Sequence, residues 1–285
     1  MRLVTYSEGD SVSYGAVIDN EVVNLSRGLS YPSLRAARPH LDELRTAATR
    51  QQPSASLGEL QLLPPIPDPS LIICVGRNFK GAMTELGMEF PHHPILFTRT
   101  AQSQVGHGEA MVRPRVSRQF DYEGELAVVI GRQGRYIRRE DALDHVAGYC
   151  CYNDGSVRDF QRHTTQDTPG KNFWHSGACG PWLVTADAVP DPSKLSIITR
   201  VNGKVVQAAG LDDLLFDVPS VVAYLSQFFL LQPGDTIAMG TPLGVGMTAT
   251  PPRWLVPGDR VSVEIEGIGV LTNDVADEPD DFLPV

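Results

Sequence analysis

The sequence predicts an α+β fold dominated by β-strands, and three observations predict it. Short β-branched and aromatic runs recur along the whole chain of 285 residues. Glycine (26) and proline (22) punctuate those runs closely. Helical periodicity, by contrast, is confined to two stretches.

The first element group is an antiparallel unit. Arg2–Tyr6, Ser13–Ile18 and Glu21–Leu25 are three short strand-like runs, and Asp19-Asn20 suits the hairpin turn between the last two. Residues 32–50 read as one helix, with Leu34, Ala37, Leu41, Leu44 and Ala48 on one face. Gln51 to Ser56 is polar, carries Pro53 and reads as a linker. The run Leu63-Pro64-Pro65-Ile66-Pro67-Asp68-Pro69 continues neither a helix nor a central strand. It sets the expected division between a small N-terminal domain, 1–65, and a larger domain, 66–285.

Strands follow at 71–75, 125–130, 146–152, 183–185, 196–206, 236–239 and 260–266. Asn202-Gly203 breaks the fifth of these into a hairpin. Arg260–Glu266 alternates polar and apolar residues, as a half-exposed strand does. The clearest helix runs from Pro219 to Leu231, opened by proline and carrying Val222, Leu225 and Phe229 on one side.

Composition excludes several classes. Lys plus Arg is 24 and Asp plus Glu is 34, a formal net charge of −10, with no basic tract to follow a nucleic-acid backbone. No apolar run approaches the ~18 residues of a membrane span. Met1-Arg2-Leu3 leads straight into a strand with no apolar signal core, so a cytoplasmic protein is expected. Four scattered cysteines without a C-x-x-C pair read as inert thiols in a reducing compartment. Dinucleotide, P-loop, zincin and nucleophile-elbow motifs are absent from the sequence. Asn24-Leu25-Ser26 matches a glycosylation acceptor by chance in a chain read as cytoplasmic.

The densest chemistry lies in Phe120-Asp121-Tyr122-Glu123-Gly124-Glu125, directly before the apolar run Leu126–Ile130. Two carboxylates at i and i+2 of a strand share a face, ~6.5–7 Å apart along the chain. Such a pair repels unless a cation sits between its members. Asp154 follows another apolar strand and would complete an all-oxygen site suited to Mg²⁺ or Mn²⁺. The alternative, that Glu123 and Glu125 simply face water on an edge strand, stays open at this point. Lys171, in Pro169-Gly170-Lys171-Asn172, would offset surplus negative charge and stabilise an enolate. The Gly240–Gly246 loop offers backbone N–H groups to an anion, or is a plain turn.

Several of these segments together resemble the fumarylacetoacetate hydrolase family. They are Cys74-Val75-Gly76-Arg77-Asn78-Phe79, Asp121 to Gly131, Gly148 to Arg158 and Gly234 to Gly246. Gly180-Pro181-Trp182-Leu183 and Val201-Asn202-Gly203 add to them, and the order holds from about residue 70 to 275. The resemblance implies a mixed β-roll core with a small N-terminal β domain, in a homodimer. It implies Mg²⁺ or Mn²⁺, with Ca²⁺ as an alternative, on Glu123, Glu125 and Asp154, with Lys171 beside the ion. It implies substrate contacts at Arg77, Phe79, Gln161 and Thr241. The implied substrates are 2-oxo acids, and the implied setting is aromatic catabolism. Implied chemistry is hydrolytic C–C cleavage of a 2,4-diketo acid such as an acylpyruvate, through a metal-bound enolate.

One position departs from the pattern. Hydrolytic members carry a His-x-x-Glu pair on a lid after the Cys-Val-Gly segment. Here Glu85 matches the glutamate, as catalytic base, while Ala82 holds the histidine's place. His92 and His93 lie on the same segment and are candidates to replace it. The loss leaves a second chemistry open, decarboxylation or keto–enol isomerisation of a 2-oxo acid, which needs no activated water.

Overall fold

Asp19 and Asn20 both adopt positive φ, 49° and 68°, the conformation a two-residue hairpin requires. They join β2 (Ser11–Ile18) to β3 (Glu21–Asn24), and β1 (Arg2–Glu8) pairs antiparallel with β2. The computed structural model describes residues 1–9 and 11–279. Asn24 is buried and hydrogen-bonded to Ser26 and Glu8.

The expected helix over 32–50 is broken. Ser33 caps α1 (Leu34–Ala37), a single 3₁₀ turn holds Arg38–His40, and α2 (Leu41–Arg50) follows. Pro39 is the cause, since it has no N–H to donate and its ring crowds the preceding turn. The polar stretch after it is not all linker, because β4 (Ala55–Ser56) pairs with β3.

Further along lie β5 (Gln61–Leu63), β6 (Ile72–Gly76), α3 (Lys80–Glu85), β7 (Ile95–Arg99), β8 (Gln104–Val105), β9 (Met111–Arg113), β10 (Phe120–Asp121) and β11 (Gly124–Ile130). Then come β12 (Val146–Asn153), β13 (Ser156–Val157), α4 (Arg158–Gln161), α5 (Thr168–Lys171) and β14 (Gly177–Thr185). The chain continues through β15 (Ser196–Val201), β16 (Lys204–Gly210), α6 (Val218–Leu225), β17 (Thr236–Ala238), β18 (Arg260–Ile265) and β19 (Gly269–Asp277). Asn202 and Gly203 turn β15 into β16 with positive φ, 51° and 78°.

The fold is mixed α+β and strand-dominated. One large sheet runs in the order β4-β3-β2-β1-β14-β12-β11-β17-β6-β7, with β5 on β1 and β8 on β14. The N-terminal strands therefore share the sheet of the larger segment, through β1 and β14. A second sheet, β16-β15-β18-β19-β9, packs on one face of it. Leu126, Val128 and Ile130 of β11 join that core with Ile197, Val261 and Val263. Ala127 and Val129 face the other way, toward Leu3, Tyr14, Leu34 and Leu44. A strand buried on both faces explains why this run reads as continuously apolar.

Helix α6 is shorter than its pattern suggests. Asp217 caps its start by accepting from the Ser220 N–H. Beyond Leu225, the carbonyl of Ser226 accepts from the Tyr136 N–H and its hydroxyl from the Ile137 N–H, which ends the helix. Among the described residues no helix is long and apolar enough to cross a membrane.

The β12–β14 contact is tight enough to test. A Cβ on Gly148 would lie 2.0 Å from the Val184 carbonyl oxygen. Gly148→Ala is expected to destabilise the protein by ~1–3 kcal/mol or more, the usual cost of overpacking. Thermal unfolding followed by circular dichroism measures it, and an unchanged midpoint would contradict this strand spacing.

Candidate active site and metal centre

Sheet direction assembles the site. Strand β11 runs antiparallel to both β12 and β17, and β17 runs parallel to β6. The start of β11 thus meets the ends of β12, β17 and β6 along one edge of the sheet. Glu123 and Glu125, Asp154, Gly240-Thr241 and Gly76-Arg77 come together there. Gly124 lies opposite Asn153, whose side chain accepts from the Glu123 N–H at 3.0 Å. The Asp154 N–H donates to the Glu123 carbonyl at 2.8 Å.

Carboxylate oxygens of Glu123, Glu125 and Asp154 lie within 4.8 Å of one another, and all three residues are buried. Glu125 is 2% exposed on an interior strand, which rules out the water-facing edge as its setting. Lys171, at 1% exposure, is no surface lysine. Its Nζ donates to Glu123 Oε2 at 2.7 Å and to Asp154 Oδ2 at 2.6 Å, and lies 4.9 Å from the Phe97 ring centre.

Three residues missed in the sequence complete the electrostatics. Arg99 is wholly buried and ion-pairs with Asp154. Arg158 pairs with Glu123 at 2.7 Å and Asp121 at 2.8 Å. Asp121 is itself wholly buried. Four buried carboxylates (Asp121, Glu123, Glu125, Asp154) thus face three cations (Arg99, Arg158, Lys171), leaving 4 − 3 = 1 negative charge. Asp154 shows the balance. Burial would raise its pKa, but Lys171 and Arg99 outweigh burial and hold it below the usual range. Lys171 loses charge stability by burial, yet Asp154 and Glu123 more than restore it and raise its pKa. Glu125 is the uncompensated member. Burial first, then Asp154 and Glu123, push its carboxyl well above the ordinary value. It makes no ion pair among the described residues, and the Gly240 N–H at 2.9 Å is its hydrogen bond. An uncompensated carboxylate in an all-oxygen cluster fits a hard divalent cation.

The glycine loop does bind anions, but they are the protein's own. Gly240 N–H serves Glu125, while the Gly246 and Met247 N–H groups serve Asp121. Asn78, another residue unassigned from sequence, donates to the carbonyls of Met239 and Phe216 at 2.8 and 3.0 Å. Gln207, from the second sheet, accepts from the Gly124 N–H and donates to Thr241 Oγ1. The signal that could have found Arg99 and Arg158 is charge arithmetic: buried carboxylates demand cations.

A cavity of about 600 Å³ opens over the cluster. Arg77, Gln161 and Thr241 line it, beside Glu123, Glu125 and Lys171. Gln161 accepts from Arg158 at 2.9 Å. Arg77 holds positive φ, 54°, and makes no ion pair among the described residues. Phe79 is not brought to the wall. It is 1% exposed in the core, where its side chain packs at the start of α3. Glu85 is exposed at the end of α3 and also off the wall, while Ala82 and Met83 from the same helix line it. His92 and His93 are exposed, His93 stacks on Tyr224, and no described histidine lines the cavity.

Removing a carboxylate that could hold a metal ion is expected to abolish tight divalent-metal binding. Glu125→Ala and Asp154→Ala should each weaken Mn²⁺ affinity by more than the ~10–100-fold that outer-shell changes cause. The raised Glu125 pKa also fixes a pH dependence. Its proton must leave before the carboxylate can bind a cation, so affinity falls as pH is lowered through that raised value. Calorimetry in two buffers of different ionisation heat should detect proton release in the wild type and less of it in Glu125→Ala. Equal Mn²⁺ binding by all three proteins would place the metal elsewhere.

Residues 71–276 match the family model described as fumarylacetoacetate (FAA) hydrolase, C-terminal. The chain is 42% identical over 224 residues to oxaloacetate tautomerase YisK of Bacillus subtilis, covering 77% of this chain and 74% of that one. It is 41% identical over 237 residues to the human mitochondrial oxaloacetate tautomerase FAHD2A, covering 82% and 76%. Among solved structures it resembles maleylpyruvate hydrolase from Sphingobium sp. SYK-6 in complex with manganese (II) ion and pyruvate. That likeness has a TM-score of 0.83 at 30% identity, over 98% of this chain and 100% of the other. With the model spanning most of the sequence and the acidic cluster in place, the chain belongs to the fumarylacetoacetate hydrolase family.

Proposed function

We propose that the protein is a divalent-metal-dependent keto–enol tautomerase of oxaloacetate or a closely similar 2-oxo dicarboxylic acid. One observation carries this reading over hydrolysis. The cavity joins an intact Glu123–Glu125–Asp154–Lys171 cluster to a lid wall built from Ala82, Met83, Leu86 and Met88, with neither Glu85 nor a histidine on it. That wall offers no group to activate water. Tautomerisation adds no water to the substrate: the C–H proton passes to solvent, and a solvent proton forms the O–H bond. The two relatives named as oxaloacetate tautomerases support the choice, and the hydrolase complex with manganese and pyruvate supports a cation and a 2-oxo acid in this cavity.

Mg²⁺ or Mn²⁺ on Glu123, Glu125 and Asp154 would supply Lewis-acid polarisation of the substrate carbonyl. Lys171 stays protonated beside Asp154 and Glu123, so it acts as a fixed cation toward a developing enolate oxygen and not as a base. Gln161 and Arg158 orient the substrate carboxylate. Arg77 offers its free charge to the second one, and Thr241 closes the wall. The reading carries a small-molecule partner, a homodimer from the family, and a reducing cytosolic setting. All four cysteines are buried and free, and burial lifts the Cys151 thiol to about 12.

The test follows loss of the oxaloacetate enol by ultraviolet absorbance, with acylpyruvate hydrolysis measured in parallel. Wild type should accelerate the first and be slow in the second. Lys171→Met should lower kcat by ~10²–10³, the usual loss for one such stabiliser, with a far smaller change in KM. Glu85→Gln should leave tautomerisation near wild type. Fast acylpyruvate hydrolysis abolished by Glu85→Gln would overturn this reading in favour of the hydrolase.

A further inference from the structure

Asp121 has no place in the metal site, yet it is wholly buried and each of its oxygens accepts two hydrogen bonds. Oδ1 accepts from the Tyr122 and Gly246 N–H groups at 2.9 and 2.7 Å. Oδ2 accepts from Arg158 Nε at 2.8 Å and the Met247 N–H at 3.1 Å. The residue therefore ties together two parts of the cavity that the chain does not join locally. One is Arg158, at the start of α4. The other is the loop that carries Val245, Met247 and Thr248 along the wall. Tyr122, the next residue, binds the same loop through its hydroxyl, which donates to the Gly244 carbonyl at 3.0 Å. The fit is close, since a Cβ on Gly246 would lie 2.6 Å from Asp121 Oδ1.

Arg158 is then held on two sides. Nε is taken by Asp121, while Nη1 is taken by Glu123 at 2.7 Å and Gln161 at 2.9 Å. Nη2 is buried and without a partner, on a residue that lines the cavity. A buried guanidinium donor left unpaired calls for a ligand or water. A planar fork can satisfy two carboxylates and still present a third nitrogen, whereas a lysine ammonium has no such fixed geometry.

We propose that Asp121 is a positioning residue. It fixes the Arg158 guanidinium so that Nη2 is presented to the carboxylate of a bound 2-oxo acid. This rests on the reading that the cavity takes a 2-oxo acid. Asp121 touches no substrate itself and acts through Arg158.

The experiment titrates pyruvate into the Mn²⁺-loaded protein by calorimetry. Asp121→Asn keeps the shape but loses acceptor capacity and charge. It should weaken pyruvate binding about tenfold or more, the scale of one charged hydrogen bond. Mn²⁺ affinity should stay at the wild-type value, a split that general loss of structure would not give. In a double-mutant cycle, adding Asp121→Asn to Arg158→Gln should cost little beyond Arg158→Gln alone. Arg158→Lys gives a second route should Asp121→Asn fail to fold. It leaves the loop contacts of Asp121 intact and should weaken pyruvate to a similar extent. Wild-type pyruvate affinity in Asp121→Asn or in Arg158→Lys, or full additivity in the cycle, would overturn the proposal. Failure of the wild-type protein to bind pyruvate would instead overturn the 2-oxo acid reading on which it stands.

Discussion

Four carboxylates buried at one end of a sheet are the constraint on which the rest of this structure depends. An isolated buried carboxylate is costly enough that it would shed its charge. Here Arg99, Arg158 and Lys171 stand within ion-pairing distance, and main-chain N–H groups from Tyr122, Gly240, Gly246 and Met247 complete the shell. The surrounding elements are placed so that these partners arrive. Strand β7 delivers Arg99, α4 delivers Arg158 and α5 delivers Lys171. Short helices of four residues are marginal alone. Their ends are held by the charge cluster, which gives them a fixed position that helical propensity would not.

The same constraint explains the sheet. Strands β11, β12, β17 and β6 are nearly all apolar and buried on both faces, so their polar ends project at the edge. A rigid, doubly covered sheet fixes where Glu125 begins and where Asp154 follows. The second sheet contributes more than a hydrophobic cover. Gln207 reaches from β16 to the Gly124 N–H and to Thr241, so the strand start and the glycine loop are set by one amide. Asn78 does the same on the opposite side, between the segment leading into α3 and the carbonyl of Met239. The Met239–Gly240 peptide thus accepts from Asn78 and donates to Glu125. Such a chain couples the lid base to a carboxylate of the cluster.

Much of this was legible in the sequence, for definite reasons. Hairpins at Asp19-Asn20 and Asn202-Gly203 announce themselves because few residues tolerate positive φ. The strand Leu126–Ile130 shows as an apolar run because both its faces are covered. Glu123, Glu125 and Asp154 stand out because charges rarely abut such runs. Pro39 marks the break within residues 32–50, although the apolar spacing continues across it. Tertiary partners left no mark. The end of α6 is set by Tyr136 and Ile137, some 90 residues away in sequence from Ser226. Lys171, Arg99 and Asp121 carry no local pattern that separates a buried ion from a solvated one. The motif implies a substrate contact at Phe79, yet its side chain packs inward, in the core.

The lid shows how little sequence separates two chemistries on one scaffold. Enolate stabilisation is common to hydrolysis, decarboxylation and tautomerisation, and on the proposed reading Lys171 and the acidic cluster supply it whichever follows. Water activation is a separate task, and on the proposed reading no side chain that α3 turns toward the cavity performs it. That helix has six residues, and its first turn is fixed because the Gly81 N–H donates to Asp213. Rotation about its axis is therefore restricted, and the side chains it turns inward are Ala82 and Met83. Glu85 lies three residues, about 300° of rotation, beyond Ala82, yet it faces solvent with its carboxylate off the cavity wall. An imidazole at position 82 would present a proton acceptor from the inward face; a methyl group presents none. On the proposed reading the apolar wall keeps water from adding, while the proton leaving carbon exchanges with solvent before another reaches oxygen.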